Sequence, residues 1–134
     1  NFGYINVNDL YKGNGFNLQS IDELARGSPP IILQLTCLTG LFAYPDQISL
    51  TEAILTHPHG PVLTVAATSL TLSNHQEPFA IQLLQTMQDP TIARIGDAFQ
   101  QAKLSLEIEK SNGLREINDT FALYGDPSTR MIRP

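Results

Sequence analysis

Apolar and polar positions alternate along this chain with periods that change from segment to segment. "NFGYINV" alternates imperfectly and predicts a short strand. "NDLYKGNGFN" is rich in Gly and Asn and predicts a loop with a turn at Asn14-Gly15. "LQSIDELARGSPP" predicts a short helix, capped by Ser20 with Glu23 three residues on, and stopped by Gly27, Pro29 and Pro30. "IILQLTC" is strongly apolar and too short for a helix, so it predicts a buried strand of a parallel sheet. After the loop "LTGLFAYPDQI", "SLTEAILTH" predicts a helix opened by a Ser49–Glu52 capping box and closed by "HPHG".

"PVLTVAAT" carries no charge and many β-branched residues, and predicts a second buried strand. "SLTLSNHQE" predicts a polar loop. From about Pro78, "PFAIQLLQTMQ" predicts a helix with proline in its first turn, broken at Asp89-Pro90. In "TIARIGDAFQQAKLSLEIEK", Ile92, Ile95, Phe99, Ala102 and Leu106 recur at spacings of three and four, predicting one amphipathic helix ended by Asn112-Gly113. "DTFALYGDPSTRMI" predicts a final strand and turn.

Strand, helix, strand, helix, helix, strand is an α/β order, with a parallel sheet covered on both faces. Such sheets usually hold more strands than can be found here, and open apolar edges are liabilities. The missing strands are expected from a preceding segment or another chain. The start at Asn1, without Met, likewise suggests the later part of something larger.

Composition narrows the function. The 134 residues make one domain's worth, and 42% hydrophobic against 16% charged residues describes a globular chain. A net charge of -5 offers no footprint for nucleic acid or an anionic membrane. No apolar run approaches the roughly 20 residues of a spanning helix. One cysteine excludes a disulfide within the chain, no Cys/His cluster has zinc spacing, and no Gly-rich phosphate loop follows a strand. Neither metal nor cofactor is expected.

Candidate chemistry gathers at Cys37. It ends its strand at the carboxyl rim of the sheet, where open parallel sheets form binding crevices. "SLTLSNHQE" leaves the next strand on the same rim, so His75 could approach the thiol. His57 and His59 enter a strand and belong to the opposite rim. A nucleophilic cysteine needs a base or a helix N-terminus to supply its thiolate. The plain alternative is a packed thiol, because free cysteine is among the most buried residue types. Asp46 and Glu52 read as capping and surface groups, and Tyr4 and Tyr11 as strand and loop aromatics.

"LTCLTGLFAYPDQISLTEAIL", "GPVLTVAATSLTL" and "LYGDPSTRM" together resemble the gingipain family of cysteine peptidases, from Ile31 to Met131. In that family a strand ends in cysteine, a Thr-Gly-aromatic loop and a Ser-Leu-x-Glu-Ala helix start follow, and the domain closes near Phe-Gly-Asp-Pro. The resemblance implies a caspase-like three-layer sandwich with a mostly parallel sheet, incomplete in this chain. Residues 1–134 would be a single domain, the C-terminal portion of the peptidase domain. It implies Cys37 as nucleophile, and Ser69, Thr71 and His75 in the loop that shapes the substrate pocket. The partners implied are a peptide or protein substrate and the segment or chain that completes the sheet.

The chain departs from the family at one motif. The family's Gly-His-Gly, at the end of the strand before the cysteine strand, has its counterpart in "FGYINVNDLY". There Gly3 matches, Tyr4 stands at the histidine position, Ile5 replaces the second glycine, and Tyr11 matches a later aromatic. A phenol with a reference pKa of about 10 is a poor proton acceptor near neutrality. Ile5 alters the backbone that stabilises the oxyanion. Two functions of this lineage therefore compete: an endopeptidase, with His75 as the only substitute base on the right rim, and a pseudopeptidase that binds peptide without turnover. An unrelated α/β binding module is the third reading.

Overall fold

The structure is a computed structural model that describes Ile21 and residues 31–132. The expected first strand with Tyr4, the Asn14-Gly15 turn and the helix capped by Ser20 lie outside the described residues. The elements run β1 (Ile31–Gln34), α1 (Leu50–Thr56), β2 (Leu63–Ala67), α2 (Ser73–Gln88), α3 (Ile95–Leu104), α4 (Asn112–Thr120) and β3 (Phe121–Gly125). The described strands form one sheet in the order β1-β2-β3. β1 pairs parallel to β2 from Ile31↔Leu63 to Gln34↔Ala66. β3 pairs antiparallel to β2 from Leu63↔Gly125 to Ala67↔Phe121. The described sheet is thus mixed, β3 running antiparallel beside the parallel pair, in keeping with an incomplete α/β sandwich.

All five residues of β2 are buried, which explains why its sequence shows no polar alternation. Leu63, Val65 and Ala67 face a core built with Phe79, Leu83, Ile95, Ala98, Ala102, Ile117 and Phe121, drawn from α2, α3, α4 and β3. On the opposite side Leu50 and Ile54 of α1 pack with Ile21 and Ile32. Helices therefore cover both faces. Under α1, buried Gln34 donates through Nε2 to Thr51 Oγ1 at 3.1 Å and to Thr64 Oγ1 at 2.7 Å. Thr64 passes its own proton to the Ile32 carbonyl at 2.8 Å. The buried amide nitrogen thereby avoids its desolvation cost, while Oε1 has no hydrogen-bond partner among the described residues.

The capping box at the start of α1 forms as read: Glu52 N–H donates to Ser49 Oγ at 3.2 Å, and Ser49 N–H to the Glu52 carboxylate at 2.8 Å. Two other boundaries differ from the sequence pattern. The expected loop "SLTLSNHQE" is extended only as far as Leu72, and α2 begins at Ser73, five residues before Pro78. Pro78 lies inside the helix at an exposed position, one turn on from the equally exposed Asn74, so the carbonyl that loses its donor lies on the solvent side of the helix.

The expected long amphipathic helix is divided. Residues 92–94 are held instead by the end of the chain, through an Arg94↔Arg130 bridge and a Met131 N–H to Ala93 carbonyl bond of 3.0 Å. α3 then stops at Leu104, a 3-10 turn follows at Ile108–Lys110, and α4 opens where a helix end was expected. Gly113 sits there because a Cβ would come within 2.0 Å of the His75 ring. Its glycine serves close approach of α2 and α4, not a left-handed cap.

Phe79 ties these layers together, with its ring centroid 5.9 Å from Phe99 and 5.0 Å from Phe121. Replacing Phe79 by Ala is expected to cost about 3–5 kcal/mol, read as a lower urea midpoint, because the cavity opens where α2, α3 and β3 meet. Ile81→Ala, on the exposed side of the same helix, is expected to stay within about 0.5 kcal/mol of the parent.

Candidate active site

β1 ends at Gln34, and Leu35 and Thr36 carry the chain to Cys37 at the carboxyl rim. The backbone then turns sharply. Leu38 has φ +63°, a left-handed conformation that costs a non-glycine residue about 1–2 kcal/mol. Four hydrogen bonds hold the bend. Leu38 N–H donates to the Ser69 carbonyl at 3.2 Å and Gly40 N–H to the Ala67 carbonyl at 2.9 Å. Leu41 N–H returns to the Leu38 carbonyl at 3.1 Å, and Thr51 N–H of α1 donates to the Thr39 carbonyl at 3.0 Å. The cysteine loop is therefore fastened to the end of β2 and to the first turn of α1. Strain kept in place by surrounding bonds is typical of functional loops.

A fifth bond comes from the far end of the sequence. Tyr124 of β3 donates its phenol proton to the Gly40 carbonyl at 2.6 Å. A Cβ on Gly40 would lie 2.6 Å from that phenol oxygen, so the missing side chain lets the Tyr124 ring come this close. Phe42 meets the Tyr124 ring edge-on at 6.2 Å. Burial, and secondarily the Glu52 carboxylate, push the Tyr124 phenol up to about 12. The bonds from Ser49 hold Glu52 itself below the usual carboxylate range.

The sulfur of Cys37 is half-buried and faces the segment that leaves β2. Its S–H donates to the Thr71 carbonyl at 3.0 Å, and the Thr71 N–H donates to the sulfur at 3.3 Å. The Thr71 hydroxyl is 3.7 Å away and receives the Gln76 side-chain amide at 2.6 Å. A thiol is thus held by the carbonyl of Thr71, and a thiolate would keep its N–H. Around this point both rim loops carry exposed apolar side chains, Phe42, Tyr44 and Ile48 on one, Leu70 and Leu72 on the other.

Cys37, Ser69 and Thr71 thus share one rim, as their places in the sequence suggested. His75 does not join them. It is the third residue of α2, its ring lies against Gly113, and its buried Nδ1 has no hydrogen-bond partner. Among the described residues the hydrogen-bond partners of the sulfur are all atoms of Thr71. His57 caps the end of α1, and its Nδ1 accepts the His59 N–H at 3.2 Å, away from this rim. Tyr4 lies outside the described residues. Among the described residues no group of three or more His, Cys, Asp or Glu could hold a metal ion, and no helix is long and apolar enough to cross a membrane.

Sequence reasoning missed Gln76 and Tyr124. The first was read as part of a loop, and the helical register that buries it is invisible until α2 is extended to Ser73. The second acts across 84 residues, where no local pattern reports a contact.

A sheet covered on both faces, with a cysteine on its carboxyl rim, makes an α/β sandwich, and its likeness to gingipain R makes that sandwich caspase-like. The chain belongs to peptidase family C25, whose sequence model matches residues 2–132. It is a gingipain-like cysteine peptidase domain. It is similar to the crystal structure of the Arg-specific cysteine proteinase gingipain R, with a TM-score of 0.74 at 18% identity over 96% of this chain. The chain spans 32% of that protein's chain. No curated protein matches this sequence.

Tyr124 generates a pH dependence with a definite sign. A phenol whose folded pKa lies above its ordinary value of about 10 stabilises the fold fully below that pH. The contribution fades as pH rises and is gone above about 12. Urea denaturation across the alkaline range should therefore show the advantage of the parent over Tyr124→Phe constant up to about pH 10, then shrinking toward about pH 12.

Proposed function

We propose that this chain is the C-terminal portion of the catalytic domain of a gingipain-like cysteine endopeptidase, with Cys37 at the nucleophile position. The observation that carries the reading is the placement of the sulfur. It is half-buried at the carboxyl rim, on a loop bent through Leu38, against the loop leaving the neighbouring strand. Ligands of open α/β sheets bind at that rim. In the proposed reaction a base removes the thiol proton, the thiolate attacks the peptide carbonyl, and the amine leaves protonated. Water then releases the acyl group from sulfur. Ser69 and Thr71 shape the pocket, and the exposed apolar side chains of the two rim loops line the approach of a peptide or protein substrate.

The sheet is completed on the outer side of β1 with strands from a preceding segment or another chain. Gingipain R is described as Arg-specific. That preference is not carried over to this chain, because residues 69–75 include no Asp or Glu and the nearest acid is Glu77.

A second reading is favoured by the histidines. His75 is turned toward α4, His57 and His59 stand on the opposite rim, and Tyr4 occupies the family's histidine position in the sequence. On this reading the domain is a pseudopeptidase that holds a peptide at the rim without cleaving it.

A thiol-reactive peptide probe applied to the full-length protein separates the two. Covalent labelling that is lost in Cys37→Ala, together with hydrolysis of unmodified peptides, is the outcome expected of an endopeptidase. Peptide binding with neither labelling nor cleavage is the signature of the pseudopeptidase. Absence of labelling and binding alike would overturn both.

A further inference from the structure

We propose that Gln76 is a positioning residue for Cys37, acting through Thr71; its catalytic meaning rests on the reading of Cys37 as nucleophile. Gln76 is the fourth residue of α2 and is 6% exposed. A primary amide is costly to bury unless it is hydrogen-bonded, and an aliphatic side chain would pack there without that cost. Among the described residues the Gln76 amide donates to the Thr71 hydroxyl at 2.6 Å.

Thr71 is held on two sides. Gln76 takes its hydroxyl, while its main-chain carbonyl and N–H take the Cys37 sulfur at 3.0 and 3.3 Å. Its neighbours Leu70 and Leu72 both have exposed side chains, so within this stretch it is the Thr71 side chain that ties the loop inward. The anchor is rigid because α2 buries Phe79 and Leu83 in the main core. Gln76 thereby refers the position of the sulfur to the core rather than to a solvent-facing loop. A buried polar chain of this kind has one favourable arrangement, which is how it specifies geometry.

Iodoacetamide tests this on the folded full-length protein, since it alkylates an accessible thiol whether or not peptides are cleaved. Gln76→Leu and Thr71→Val are each expected to accelerate Cys37 alkylation about threefold or more at constant pH, as the sulfur loses the carbonyl that holds its proton. The double variant should react no faster than the faster single one, because both changes remove the same bond. Thr71→Ser keeps the hydroxyl and should react like the parent. Ile54→Val, which loosens the α1 side of the sheet, should also leave the rate unchanged; a matching acceleration there would mean general destabilisation and overturn the proposal. Equal rates in all variants, additive rates in the double variant, or no alkylation in any would overturn it as well. Failure of the nucleophile reading is seen separately: the peptide probe then misses the parent while the iodoacetamide pattern persists.

Discussion

The structure depends on one strand being buried from both sides. β2 lies between β1 and β3, and its side chains point alternately into the core under α2, α3 and α4 and toward α1. The one polar side chain among its five consecutive buried residues is Thr64, whose hydroxyl is taken by the Gln34 amide and the Ile32 carbonyl. At about 1.5–3 kcal/mol for each large apolar side chain removed from water, this double-sided burial is the main source of order in the sheet. It also fixes where β2 ends, and everything at the rim is measured from that end.

The cysteine loop shows how. Ala67, the last residue of β2, and Ser69, two residues beyond it, present carbonyls that receive the N–H groups of Gly40 and Leu38. Those bonds hold Leu38 in a conformation it would not choose alone. Tyr124 then closes the loop from β3, the strand on the other side of β2. Three strands thus converge on one turn, and the sulfur beside it is aimed at Thr71 by construction. A rim built this way can carry a reactive group with little freedom to stray, which is what nucleophilic attack requires.

Membership of peptidase family C25 gives this geometry its lineage, while the surroundings of the sulfur give it character. The described residues bring a peptide main chain and a buried amide to Cys37, through Thr71 and Gln76, and they turn the imidazole of His75 toward Gly113. The histidines of the described part thus serve helix ends and helix packing.

Local pattern was enough to read β1, β2 and β3, the capping box of α1 and the rim position of Cys37, because each depends on burial periodicity or on contacts three residues apart. It failed where packing between distant elements chose the outcome. Leu104 ends a helix that periodicity would have continued, since the segment beyond it must turn to pack Leu106 and Ile117 into the same core. Gly113 looked like a helix stop and is instead the space that His75 fills. The start of α2 at Ser73, the burial of Gln76 and the bond from Tyr124 to Gly40 arise only when the sheet brings residues far apart in sequence to one rim. A hydrogen bond across 84 residues leaves no period in the chain to be read, and so tertiary structure alone decided how the sulfur is held.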